Sequence, residues 1–143
     1  MVILDTNVIS NVLALKPDAA VEVWLKAQPI ASIFTTAVTK AEILRGLRIL
    51  PDGRRRRALE DAIRPIFASE FEGRVLPFDS EAAEAYAELS ALRRKIGRPI
   101  SQSDAQIAAI ALSRGASLVT RNAIDFRDIG LTIINPWEGS RQG

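Results

Sequence analysis

The sequence predicts an α/β fold built on a mainly parallel sheet. Three observations carry that expectation. Five short apolar or β-branched stretches read as strands, and six longer stretches between them carry helical periodicity. The two kinds alternate along the chain, with turn residues at the joins. At 143 residues the chain has a usual length for one domain. No internal repeat, linker or low-complexity stretch divides it, so residues 1–143 are expected to form a single domain.

The first strand is Val2–Leu4, and it runs straight into Asp5 and a helix over Thr6–Leu15. A second helix is expected over Ala19–Ala27, followed by a strand at Ser32–Thr35 and a helix over Val38–Leu50. Pro51-Asp52-Gly53 marks the turn into a long helix over Arg54–Ser69. The third strand is Arg74–Leu76, after which Ser80 is placed to cap a helix over Ser80–Ile96. Gly97 and Gly115 stand where helix C-terminal glycines belong, closing that helix and the next, Gln102–Arg114. Strands at Ser117–Thr120 and Leu131–Ile134 complete the pattern.

Composition narrows the chemistry. Hydrophobic content of 48% and a mean hydropathy of +0.09 suit a compact soluble chain. No apolar run approaches the roughly 20 residues that span a bilayer, and the N-terminus lacks a basic region followed by an apolar one. No membrane association is expected. The chain has no cysteine, hence no disulfide, which suits a cytoplasmic protein. It also has no histidine. Ser-His-Asp and Cys-His catalysis, the usual zinc sites and a histidine proton carrier are therefore excluded. Any metal must be held by oxygens, which selects a hard cation. The formal charge is only +2 despite a pI of 9.4, because almost nothing titrates near neutrality. Arginine supplies 15 of the 19 basic residues, a tilt toward phosphate-bearing partners.

Acidic residues recur at the strand-to-helix junctions. Asp5 follows the first strand, Glu42 lies early in the helix after the second, and Asp104 lies in the first turn of "SQSDAQIAAIALSRG". Asn122 and Asp125 follow the strand "ASLVT". Taken singly, each has a plain reading. Asp5 and Asn122 can cap, Thr39/Glu42 and Ser101/Asp104 both have capping-box spacing, and Glu42 can pair with Arg45. Taken together they mean more, because a parallel sheet gathers the residues after its strands along one edge. Asp104 is the most pointed case. Its helix is apolar nearly all round, so its carboxylate should face the interior, where an unpaired charge is costly. If Asp5, Glu42 and Asp104 converge, a divalent cation answers both the burial and the mutual repulsion.

The stretches "ILDTNVIS", "AVTKAEILRG", "SQSDAQIAAIA" and "LVTRNAIDF" resemble the PIN-domain ribonucleases, in particular the VapC-type toxins of toxin–antitoxin pairs. They stand in family order and spacing over nearly the whole chain, and "RVLPFD" and "INPW" are similar to the FitB/VapC branch. The resemblance implies a PIN-like three-layer α/β domain with a Mg²⁺-dependent acidic site, in which Mn²⁺ substitutes. Asp5 and Asp104 match the metal ligands, Glu42 matches the third acid that helps hold metal or position water, and Thr6 matches a hydroxyl that orients the first carboxylate or contacts phosphate. Asn122 stands where some relatives carry aspartate, with Asp125 three residues later. Asn122 can bind a water or phosphate oxygen while Asp125 gives the outer carboxylate, or Asp125 simply pairs on the surface with Arg121. The implied function is Mg²⁺-dependent hydrolysis of single-stranded or loop RNA, leaving a 5′-phosphate and a 3′-hydroxyl. A cognate antitoxin that inserts a basic side chain, and a homodimer, are implied as well.

Other features are less pointed. Arg54–Arg57 spans more than one helical turn and opposes the helix dipole, so it reads as a solvated helix start or as a contact for RNA or antitoxin. Trp24 is expected in the core and Trp137 at the domain edge. Two alternative functions fit the residues less well. A haloacid-dehalogenase-type phosphatase needs an aspartate where Asn7 stands. A non-catalytic PIN-like RNA-binding or interaction module predicts a broken acidic set, whereas three acids are intact.

Overall fold

The computed structural model describes residues 1–138. Five parallel strands lie in the order β3-β2-β1-β4-β5, with β1 Val2–Leu4 central, β2 Ile33–Thr36, β3 Val75–Leu76, β4 Ser117–Val119 and β5 Ile133–Ile134. Six helices flank the sheet: α1 Thr6–Val12, α2 Ala19–Lys26, α3 Ala37–Arg48, α4 Arg54–Pro65, α5 Ser80–Lys95 and α6 Gln102–Ser113. The expected α/β architecture with a parallel sheet is what forms. The chain winds outward from β1 through β2 to β3, then crosses back to place β4 on the other side of β1. The order therefore reverses between β1 and β4. In such sheets ligands bind outside the carboxyl ends of the strands at that reversal.

Side chains alternate across a strand, and β1 and β4 use this to face two cores. Ile3 and Leu118 join Ile107, Ile110 and Phe126 beneath α5 and α6. Leu4 and Val119 join Val8, Ile9, Val21, Ile63 and Phe67 on the opposite face, beneath α1, α2 and α4. The apolar character of α6 is explained by its position. Six of its residues, Ala105 and Ile107 through Ala111, are buried.

Several boundaries differ from expectation, each for a local reason. Thr36 rather than a later residue caps α3, its Oγ1 accepting from Thr39 N at 3.0 Å, so the helix starts at Ala37. Asp79 rather than Ser80 caps α5 through Ala82 N at 3.0 Å. The single helix expected over Arg54–Ser69 is divided. Pro65 cannot donate a backbone hydrogen bond, and beyond it Ile66–Glu70 winds as a π turn. Within the arginine run, Arg56 Nε bonds Glu60 Oε1 at 2.9 Å and Arg57 lies 3.8 Å from Asp52. Gly97 and Gly115 take positive φ as expected, at 76° and 63°. No helix among the described residues is long and apolar enough to cross a membrane.

The packing of α6 generates a test. Ile110→Ala should lower unfolding free energy by about 2–5 kcal/mol, because the site cannot collapse around the missing atoms. Leu15→Ala, at a fully exposed position, should change it by less than about 0.5 kcal/mol. Urea denaturation followed by circular dichroism measures both.

Candidate active site

Asp5 stands at the carboxyl end of β1, beside the reversal. Its backbone N–H donates to Val119 O at 2.9 Å, which extends the β1–β4 ladder by one residue and fixes the side chain's origin. The residue is buried, with 4% of its surface exposed. Oδ1 accepts from Thr6 N at 2.8 Å, the N-cap bond of α1. Oδ2 accepts from Thr120 Oγ1 at 2.8 Å and Asn7 Nδ2 at 3.2 Å. The capping and site readings of Asp5 thus coexist in one carboxylate.

Thr120 and Asn7 form a shell behind it. Asn7 Nδ2 also donates to Thr120 Oγ1 at 3.1 Å, and Asn7 Oδ1 accepts from Arg121 N at 3.1 Å. The backbone N–H of Asn122 donates to Thr120 Oγ1 at 3.1 Å. Sequence reasoning used Asn7 only to argue against a phosphatase and passed over Thr120. The signal available was positional: Thr120 ends the strand next to β1, so its hydroxyl faces the residue that ends β1.

Glu42 lies in the second turn of α3, beyond its cap, which removes the capping-box reading with Thr39. Its Oε1 accepts from Thr6 Oγ1 at 2.8 Å, and Thr6 Oγ1 also lies 3.3 Å from Thr39 Oγ1. The alternative partner Arg45 makes no ion pair with it among the described residues. Thr6 therefore links the acid after β1 to the acid on α3. Asp104 is half-buried in the first turn of α6, and its backbone N–H is capped by Ser101 Oγ at 3.3 Å.

The carboxylates oppose one another. Burial raises Asp5 from 3.8 to about 6; the bonds from Thr120 and Thr6 work against that shift, and the charges of Asp104 and Glu42 add to it. Asp104 is raised as well, first by burial and then by Asp125 and Glu42, with the Ser101 hydroxyl and the Arg93 charge acting the other way. Among the described residues, none of Asp5, Glu42, Asp104 or Asp125 has an ion-pair partner. These acids are neighbours whose like charges no ion pair offsets.

The donor set fits a hard divalent cation. A buried carboxylate held off its ordinary ionisation and facing others of its kind is what such an ion relieves. No three acidic side chains among the described residues stand close enough to hold one ion between them. The convergence of Asp5, Glu42 and Asp104 on one ion expected from the sequence is therefore not found among the described residues. Mg²⁺ commonly uses one or two carboxylates and keeps several waters, so Asp5 and Asp104 are the residues that would hold it.

The 3₁₀ turn Ala123–Phe126 brings Asp125 near enough to raise Asp104. Asp125 makes no ion pair with Arg121, whose guanidinium lies 5.2 Å from the centre of the Trp137 ring. Asn122 begins this turn but makes no side-chain cap and is exposed. Trp137 packs against the core at the sheet edge, and Trp24 is only half-buried against the same core.

The PIN domain profile matches residues 2–131. The chain is 41% identical over 138 residues to a protein named VapC ribonuclease Y4jK of Sinorhizobium fredii, covering 96% of this chain and 99% of that protein. It is 32% identical over 137 residues to toxin FitB of Neisseria gonorrhoeae, with the same coverage. The crystal structure of FitAcB from Neisseria gonorrhoeae superposes with a TM-score of 0.89 at 32% identity, covering 96% of this chain and 99% of that one.

The pKa of Asp5 sets a pH dependence whose sign is unusual for an acid. Unfolded, Asp5 ionises near 3.8; folded, it keeps its proton to about 6, so the native state binds more protons between those values. Its contribution to stability is therefore present below pH 3.8 and is lost as pH rises through 6. Relative to Asp5→Asn, the wild type should lose about 3 kcal/mol across that range without divalent cation. Mg²⁺ added above pH 6 should restore stability to the wild type and not to the variant. Urea titrations at several pH values read both effects.

Proposed function

Because the chain belongs to the PIN-domain family, we propose that it is a Mg²⁺-dependent endoribonuclease, the toxin of a toxin–antitoxin pair. The observation that carries this reading is the buried, uncompensated Asp5 beside Asp104 and Glu42 at the sheet's reversal point. The names of its relatives, a VapC ribonuclease and a FitB toxin, supply the reaction class. A cognate antitoxin is the expected partner, placing a basic side chain among the acids. RNA is the substrate, the cytoplasm the site of action, and a homodimer the working form.

Each residue has a role derived from its contacts. Asp5 is presented rigidly, three donors fixing its two oxygens, so that with Asp104 it would hold the ion in one place. A divalent cation supplies charge neutralisation on the phosphate and a more acidic water. Thr6 fixes the exposed Glu42 carboxylate through Oε1, leaving Oε2 to orient the attacking water and accept its proton. Asn122, exposed at the start of its turn, offers an amide to a phosphate oxygen, and Asp125 gives the outer carboxylate near Asp104. With no histidine in the chain to act as general acid, hydrolysis by water suits these groups better than attack by the RNA 2′-hydroxyl.

The test is cleavage of a panel of structured RNAs with and without Mg²⁺. Asp5→Asn and Asp104→Asn should each lower the rate by more than the roughly 10–100-fold typical of losing a group that supports a metal ligand. Thr120→Val, which removes the hydroxyl behind Asp5, should fall within that range. Binding of RNA by the wild type without Mg²⁺-dependent cleavage identifies a binding module instead.

A further inference from the structure

Arg93 is a cation that the reading above does not use. It lies in the last turn of α5 and is buried, with 6% of its surface exposed. A buried guanidinium normally meets a carboxylate. This one has no ion-pair partner among the described residues and spends its donors on backbone carbonyls. Nε donates to Arg98 O at 2.7 Å, and one terminal nitrogen donates to Asp125 O at 2.8 Å and Arg127 O at 3.1 Å.

These bonds join two segments that are otherwise separate in sequence. One is the turn after α5, where Gly97 takes a left-handed φ of 76°. The other is the 3₁₀ turn that carries Asp125. A second tie runs parallel on the surface, from Arg98 to Asp128 Oδ2 at 2.9 Å. Asp128 itself has a φ of 68°, the one left-handed residue other than glycine among the described residues. Aspartate tolerates that region better than most residues, but it is still a conformation that surrounding contacts must hold.

We propose that Arg93 is a positioning residue: it clamps the Asp125 turn to the end of α5 and so sets where Asp125 stands relative to Asp104. This rests on the ribonuclease reading above. The shape of the contact supports it over simple bracing. The carbonyl of Asp125 itself is one of the three acceptors, so the origin of that carboxylate is held directly. Lysine offers a single ammonium point in place of the planar fork and cannot reach both segments in the same geometry.

The test reads coupling. RNA cleavage with Mg²⁺ is measured for Arg93→Lys, Arg98→Ala and Asp125→Asn, and for each arginine variant combined with Asp125→Asn. Hydrogen–deuterium exchange is followed on the same proteins. Arg93→Lys should lower kcat about 10–100-fold at nearly unchanged KM, as a small misplacement of a reacting group does. Arg98→Ala should do so less, and neither should lower it further once Asp125 is asparagine. Exchange should rise over residues 122–128 while α6 and the sheet keep their protection. Fully additive effects, or exchange rising evenly through the protein, overturn the positioning role. If Arg93→Lys fails to fold, Arg98→Ala, a surface change, carries the same coupling test. A wild type that cuts no RNA with Mg²⁺ or Mn²⁺ sinks the ribonuclease reading and this proposal with it; a wild type that cuts while the effects add sinks the positioning role alone.

Discussion

The structure turns on a carboxylate placed where burial resists its charge. Asp5 cannot move away, because its backbone N–H is part of the β1–β4 ladder and its two oxygens accept from Thr6, Thr120 and Asn7. Those bonds favour the ionised form, yet burial outweighs them. The protein thus tolerates a local cost at one point, and the surrounding hydrogen bonds keep that cost from being relieved by rearrangement. A destabilised but rigid group is what a functional site asks for and what a structural cap alone would not.

The sheet order makes that placement possible. With β4 inserted beside β1, the residues that follow these two strands, Asp5 and Thr120, become neighbours although 115 positions apart in the chain. Alternation along β1 and β4 sends Ile3 and Leu118 to one core and Leu4 and Val119 to the other, so both strands are anchored on both faces. The next residue on each strand emerges at the edge, and its polar group finds its partner there. On the other side, α6 is packed so completely that its first turn is drawn inward. Asp104 is carried toward Asp5 by the burial of Ala105, Ile107 and Ala108, not by any attraction between the acids.

Much of this was legible in the chain. All five strands and six helices were readable because apolar runs and turn residues alternate cleanly, and the central acids were readable because they follow strands. What escaped notice was set by contacts across the fold. The cap of α3 at Thr36 was hidden because Thr35, Thr36 and Thr39 are equally plausible caps until the strand's end is fixed. The break at Pro65 was read through as helix, since proline can sit in a helical run whose geometry adapts around it. Thr120 carried no role of its own in the sequence, and only the adjacency of β1 and β4 shows that it addresses Asp5; Asn7 reaches Asp5 from two residues along the same segment. Arg93 is one of three basic residues in the last turn of its helix, and nothing local in the sequence marks it as buried.

Under the proposed function, the distribution of charge is what would let one site serve both cleavage and restraint. Arg93 lies near enough to Asp104 to favour its ionised form, but its hydrogen bonds go to carbonyls, so it steadies the turn without closing an ion pair. Had the same guanidinium reached Asp104 directly, the acids would have been satisfied from within and would have little pull on anything outside. Because they are not, the centre favours any cation that fits between its walls. Under the proposed function, a hydrated divalent ion and the basic side chain of an antitoxin would answer the same need, and each would exclude the other by occupying the same carboxylates. On that proposal, activity and its suppression would both follow from this single arrangement of charge.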